Sequence, residues 1–402
     1  MDPLAETDAR ELRIFLESVL CDLCRFLHAA RDGVSPAETQ IHQEVRLGPG
    51  AFADIRVAAG GVPPYFIEID VGYSRSRVIE SMRLKYAGRT PASEGAAKVI
   101  VVVDRELASA SPSLEAELRA LLAPGLDLEL WDDRHLSRLI RDTLGLDISP
   151  FVEDQLLELR QAVDQAKAVH AFGPATAVDP LRSTLLWHFA YWRLAQLREA
   201  GRVDPRAILP PGRYAKVVVV MADVCAYSSY VRDTRDDRVI RESLTSFASK
   251  TRYRIINDGG MLYQFVGDSV VGFFGIPGES RDDASKALAC ARSLVDIGAA
   301  VAEEWQRQID QAEPAAGVHV GMAVGEVQML SLRPFSRTHM GAVAEAMNLA
   351  ARLTAVAGPG EIVVSNLFHQ ALPHADRLAF TELQPVEAKN IGRVRAWKLA
   401  AG

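Results

Sequence analysis

Two aspartates, Asp223 and Asp268, each stand at the tip of an apolar run, Val-Val-Val-Val-Met-Ala before the first and Leu-Tyr-Gln-Phe-Val-Gly before the second. They lie 45 positions apart. About 80 positions later an amphipathic stretch carries Asn348 and Arg352, which share one face if the stretch is helical. Paired carboxylates are oxygen ligands suited to divalent cations. Beside a polar amide and a guanidinium they make the parts of a phosphoryl-transfer site. Alone, an aspartate at a strand end is an ordinary turn residue. The ordered set is what points to chemistry: Asp223, Gly267-Asp268, Gly321 to Gly325, Asn348, Arg352 and Lys389.

These residues need elements to hold them. Lys216 to Ala222 reads as a buried strand that stops at Asp223, and Val224 to Tyr230 reads as the start of a helix whose free N–H groups face the site. Gly267 permits a tight hairpin turn that presents Asp268. Over residues 214–402 the order is strand, helix, strand hairpin, helix, strand hairpin, helix, strand, helix and two closing strands. Embedded in it is the β-α-β-β-α-β ferredoxin-like plan, so the fold class is α/β (α+β).

Upstream, residues 1–148 mix helical and strand-like runs and read as a separate α/β domain. Strands are expected over Phe52 to Val57, Tyr65 to Val71, Lys98 to Val103 and Leu126 to Trp131. Helices are expected over Arg75 to Tyr86, Ser113 to Leu122 and Asp133 to Leu144. Residues 149–213 show no strand signal and read as a helical connector, with helices over Val152 to Ala171 and Pro180 to Ala200 that suit dimer formation or signal coupling. Composition is globular, at 49% hydrophobic and 24% charged, and the net charge of −7 gives no support to a nucleic-acid partner held by bulk electrostatics. Cys21-x-x-Cys24 sits among apolar residues at helical spacing and reads as helix core, not as a metal or redox motif. No run approaches bilayer length, so no membrane partner is expected, and four cysteines suit a reducing cytoplasm.

The motifs of the third region resemble those of class III nucleotidyl cyclases. Met221-Ala-Asp223-Val-Cys-Ala-Tyr227 is similar to the first metal motif of that family and Phe265-Val-Gly-Asp268 to the second. Asn348 and Arg352 match its transition-state pair, and Glu387-Ala-Lys389-Asn390 its late lysine motif. The resemblance covers almost half the chain. It implies two Mg²⁺ or Mn²⁺ ions per site, with Asp223, Val224 and Asp268 as metal positions. It implies Val224, Tyr227, Tyr263, Gln264 and Lys389 as substrate contacts, with Asn348 orienting the ribose and Arg352 stabilising charge on the α-phosphate. It also implies a homodimer with shared sites, because the metal residues and the Asn/Arg pair of one chain serve different sites.

Adenylate cyclases of this family read adenine with a lysine and an Asp or Thr. Here those positions hold Gln264 and Gly341. A glutamine amide both donates and accepts, so it suits several base edges, and losing a matched polar reader costs discrimination steeply. These departures resemble the bacterial pyrimidine cyclases of Pycsar anti-phage signalling. That implies UTP first and CTP next as substrate, and a separate cyclic-nucleotide-binding effector. The alternatives are an adenylate cyclase with an atypical base pocket, and a domain that only senses nucleotide.

In the first region, Ala53-Asp54-Ile, Phe66-Ile-Glu68-Ile-Asp70 and Lys85-Tyr86 resemble the core of restriction-endonuclease-like folds. The lysine expected two residues after Glu68 is replaced by Asp70, with Lys85 as a stand-in from the next helix. The resemblance implies a sensing or scaffold domain without nuclease activity.

Overall fold

In the computed structural model, residues 3–88, 95–109, 111–151, 153–174, 179–333, 336–388 and 392–399 are described. They form two compact units, residues 1–167 and 168–402.

The first unit opens with α1 (Pro3–Arg31), which buries Leu16, Leu20, Cys21, Leu23 and Cys24 on one side. Burial pushes the Cys24 thiol up to about 11, as expected of core cysteine. Five strands follow: β1 (Gln40–Gly48), β2 (Ala51–Ala58), β3 (Tyr65–Ile69), β4 (Lys98–Val102) and β5 (Asp127–Trp131). They form a sheet in that order, antiparallel through β3 and parallel from β3 to β5. Parallel neighbours need crossovers, supplied by α2 (Arg75–Tyr86) and by α3 (Arg105–Ser109) with α4 (Ser111–Leu121). The α2 side chains Val78, Met82 and Tyr86 recur every four residues and are all buried with Phe66, Val99 and Val101. Helix α5 (Asp133–Leu144) begins at a capping box made by Asp132 with His135 and stops at Gly145. The boundary between the units falls within α6 (Glu153–Phe172).

The second unit begins with α7 (Pro180–His188), α8 (Tyr191–Glu199) and α9 (Pro205–Ile208). The single helix expected over 180–200 is therefore two. Phe189 and Ala190 are extended and buried between them, and Ala190 joins the main core. These helices are bonded to the sheet edge. His188 Nδ1 donates to Leu262 O at 2.6 Å, and Arg193 donates to Gly259 O and to Ile276 O, the latter at 2.9 Å.

Next come β6 (Gly212–Val224), α10 (Tyr227–Asp233), α11 (Asp237–Asn257), the hairpin β7 (Met261–Val266) and β8 (Ser269–Phe274), and α12 (Asp283–Ile309). Then follow β9 (Val318–Arg333), β10 (Ser336–Val343), α13 (Glu345–Thr354), β11 (Ile362–Ser365), α14 (Asn366–Ala371) and α15 (His374–Arg377). The closing strands are β12 (Thr381–Glu382), β13 (Val386–Ala388), β14 (Gly392–Val394) and β15 (Ala396–Leu399), more than the sequence suggests. The sheet order is β12-β15-β11-β9-β6-β8-β7, with β10 paired to β9. The four strands at one end of it, β9-β6-β8-β7, stand in the fourth-first-third-second order of a ferredoxin-like core. Alternation decides the faces: Val218, Val220, Ala222, Val320 and Met322 join Phe247, Leu288, Ala291 and Leu294 of α11 and α12 in the main core. Each such valine, fully buried, contributes roughly 1.5–3 kcal/mol. The odd-numbered residues of β6 face the other way, toward α13.

Candidate active site

Strand register assembles the acidic site. Asp223 pairs with Ser269 on β8 and with His319 on β9. Paired residues on adjacent strands project from the same face, so Ser269, Asp223 and His319 form a row across three strands. The Ser269 hydroxyl donates to Asp223 Oδ1, and His319 Nε2 donates to Oδ2 at 3.2 Å. His319 Nδ1 faces Ala357 O at 3.1 Å. With acceptors at both ring nitrogens, the imidazole is held as the cation. The Asp223 bond, with further help from Cys225, pushes it up to about 10. Asp268 sits at the β7–β8 turn, where Gly267 takes φ +64°. The strand runs one residue past Asp223, to Val224, and α10 begins only at Tyr227 after Ala226 in the left-handed region. The helix start expected at Val224 is thereby moved by three residues.

The two aspartates feel each other. Partial burial and then the Asp223 charge push the Asp268 carboxyl above its usual range. Burial acts the same way on Asp223, but the bonds from His319 and Ser269 hold it below. A pair of like-charged carboxylates perturbed by proximity is what a bound cation relieves. Among the described residues no group of three His, Cys, Asp or Glu side chains converges on one point. Two carboxylates, with remaining positions left to phosphates and water, match how Mg²⁺ is commonly held. The donor set fits a hard divalent cation.

Asn348 and Arg352 lie one turn apart on α13 and are exposed, while Ala346, Ala350 and Leu353 of the same helix are buried. Two glycines bring α13 this close to the sheet. A Cβ on Gly321 would lie 2.2 Å from Ala350 O, and one on Gly325 would lie 2.9 Å from Ala346 Cβ. Thr354 Oγ1 donates to Ala350 O at 2.9 Å and also reaches Met221 O. Among the described residues, Asn348 and Arg352 make no hydrogen bond or ion pair with Asp223 or Asp268.

Of the positions expected at the base, Gln264 is exposed, and Tyr263 occupies a bulge between β7 and β8. The Tyr263 ring stacks on Phe273 at 4.9 Å, and its hydroxyl accepts from Ala342 N at 2.9 Å, beside Gly341. Tyr263 thereby ties the strand of Gln264 to the strand of Gly341. Val224 is buried in the ladder opposite Val318. Tyr227 packs edge-on against Trp305 at 6.4 Å, with Tyr230 stacked on the same ring. Lys389 lies outside the described residues. Sequence reasoning missed His319 and Ser269. His319 stands two residues before Gly321 on a strand already singled out, but only the register against β6 shows it meeting Asp223.

The first unit carries its own acidic cluster. Lys85 Nζ lies 2.7 Å from Asp54 Oδ1 and 2.5 Å from Glu68 Oε2, and the Tyr86 hydroxyl donates to Glu68 Oε1. Ile69 N donates to Asp54 Oδ2 at 2.7 Å. Asp70 is buried with Oδ2 unbonded, and burial pushes it up to about 7. Lys85, on α2, thus stands between Asp54 and Glu68.

No protein-family profile matches the sequence, and no curated protein matches it. Solved structures similar to it include the adenylyl cyclase CyaB from P. aeruginosa, at 20% identity over 48% of this chain and 97% of that one, with a TM-score of 0.43. The guanylyl cyclase Cya2 is similar at 23% identity over 48% and 95%, with a TM-score of 0.41. The guanylate cyclase domain of RhGC from Catenaria anguillulae, in complex with GTP, is similar at 19% identity over 47% and 98%, with a TM-score of 0.37. At these identities and TM-scores no activity passes from those proteins to this one.

Proposed function

We propose that residues 214–402 are a class III nucleotidyl cyclase domain that converts a pyrimidine nucleoside triphosphate, UTP before CTP, to the 3′,5′-cyclic nucleotide and pyrophosphate. The observation that carries this is the pairing of Asp223 with Asp268 at one end of the sheet, with Asn348 and Arg352 exposed on α13. Asp223 and Asp268, with Val224, would hold two Mg²⁺ or Mn²⁺ ions, which supply acidity at the ribose 3′-hydroxyl and charge against the triphosphate. Arg352 donates to the α-phosphate as charge grows there, and Asn348 orients the ribose. Lys389 holds the outer phosphates as a point charge. His319 and Ser269 keep Asp223 fixed while this happens.

The family resemblance implies a symmetric homodimer as the working species, in which each site takes acids from one chain and Asn/Arg from the other. Val266, beside the acidic turn, and Val343, just before α13, are 49% and 62% exposed. Such apolar residues suit cover by a second copy. Gln264, and glycine at 341, leave no dedicated adenine reader, which supports the pyrimidine reading. The product then serves as a second messenger in anti-phage defence, read by a separate effector. Residues 1–148 act as a sensing or scaffold domain, with Lys85 closing the acidic cluster, and residues 149–213 as the connector. The proposed site of action is the cytoplasm. Among the described residues no helix is long and apolar enough to cross a membrane.

The test is turnover of the full chain with ATP, GTP, CTP and UTP plus Mn²⁺, with products identified by mass spectrometry. Cyclic UMP or cyclic CMP, abolished in Asp268→Ala, is the expected result. Dominant cyclic AMP would overturn the specificity, and turnover surviving Asp268→Ala would overturn the metal assignment.

A further inference from the structure

The first unit also holds a groove of about 810 Å³ that belongs to neither acidic cluster, lined by Arg105, Arg134, Arg138, Arg141 and Phe151 among others. Its floor is one stripe of α5. Positions 134, 138 and 141 fall within about 60° of one another on a 3.6-residue helix, opposite the buried Leu136, Leu139 and Ile140. Their Cα atoms spread over about 10 Å of helix.

The acids that line the groove are already engaged. Asp133 takes both arms of Arg105, and Asp132 caps α5 and accepts from His135. Arg141 is paired with Asp147. Arg134 and Arg138 are exposed, and among the described residues their side chains have no hydrogen bond or ion pair. In a chain of net charge −7, two unpaired guanidiniums in line inside a concave surface are a local exception. Guanidinium forks match phosphate oxygens, and an aromatic ring beside a basic track suits a base attached to the phosphates.

We propose that this groove binds a linear phosphate chain, with Arg134 and Arg138 as its principal contacts. That chemistry has two sources, the backbone of a single-stranded oligonucleotide and the phosphate tail of a free nucleotide. The groove is independent of the cyclase reading and needs no metal.

The experiment uses the full chain in EDTA. A fluorescent single-stranded 12-mer is followed by anisotropy, and inorganic tripolyphosphate by calorimetry. Three proteins are compared: wild type, Arg134→Gln with Arg138→Gln, and Arg75→Gln with Arg119→Gln, which removes the same charge from paired surface arginines elsewhere in the unit. The groove variant is expected to weaken binding about tenfold or more. For the oligonucleotide its log K against log salt slope should fall by about 1.4 for two lost phosphate contacts. The control should stay within about twofold of wild type, the scale of an untouched surface site. Oligonucleotide binding competed by tripolyphosphate assigns the groove to a strand, and tripolyphosphate binding alone assigns it to a nucleotide. Wild type binding neither ligand at millimolar concentration, or equal weakening in both variants, overturns the proposal.

Discussion

At the scale of single residues, Asp223 has both carboxylate oxygens engaged by protein, Oδ1 by Ser269 and Oδ2 by His319. Partners of this kind orient a metal ligand without touching the metal, and losing one typically costs about 10- to 100-fold in metal affinity or activity. His319→Gln should therefore weaken Mn²⁺ binding by about tenfold while leaving the fold intact, as read by calorimetry beside thermal unfolding. An unchanged Mn²⁺ affinity would show that the turn alone orients Asp223. Lys85 is the corresponding residue in the first unit, facing a Glu68 side chain that is 0% exposed. Lys85→Ala strands that acid together with the buried Asp70, and the expected loss is about 3–5 kcal/mol by urea unfolding. A loss below about 1 kcal/mol would mean that protonation of the acids relieves the cluster instead.

At the scale of elements, α13 is where site and fold meet. Gly321→Val would place a branched side chain where even a Cβ lies 2.2 Å from Ala350 O and 2.3 Å from Thr354 Oγ1. The backbone of α13 must shift, at a cost of about 1–3 kcal/mol, and it carries Asn348 and Arg352 with it. Turnover should fall far more than stability, whereas equal turnover in the folded variant would remove α13 from the site. The α7–β7 junction gives a pH effect of defined sign. Burial holds His188 below its usual 6.5, so the folded ring is neutral while it donates to Leu262 O. Below pH 6.5 the unfolded chain takes up a proton that the folded ring refuses, so stability present above 6.5 is lost as pH falls. Denaturation midpoints between pH 7.5 and 5 should decline more gently in His188→Gln than in wild type. Parallel curves would mean that His188 does not titrate on unfolding.

At the scale of the whole molecule, the proposed division of one site between two copies makes a quantitative prediction. Asp268→Ala and Arg352→Ala should each abolish turnover alone. When they are mixed and allowed to exchange, half the dimers are mixed and each holds one intact site of two, so activity should recover to about a quarter of wild type. No recovery, with exchange verified by a tagged subunit, would mean that each site is built within a single chain.

Much of this was legible before any coordinates. Alternation and length marked β2, β3, β4, β5, β6 and the β7–β8 hairpin, because buried strands cannot hide their apolar runs. β1 escaped, since the polar Gln43 takes a buried, inward-facing place beside Ile41 and breaks its apolar alternation. The break at Phe189 escaped because both halves keep helical periodicity and neither Gly nor Pro marks the junction. Residue types and order by themselves determined a ferredoxin-like α/β unit bearing two acids, an amide and an arginine. Tertiary structure decided which neighbours those groups have: His319 and Ser269 beside Asp223, Lys85 between Asp54 and Glu68, and Tyr263 tied to the strand of Gly341. Each depends on strand register or helix placement, and a contact between residues 96 positions apart, as for Asp223 and His319, leaves no local pattern to read.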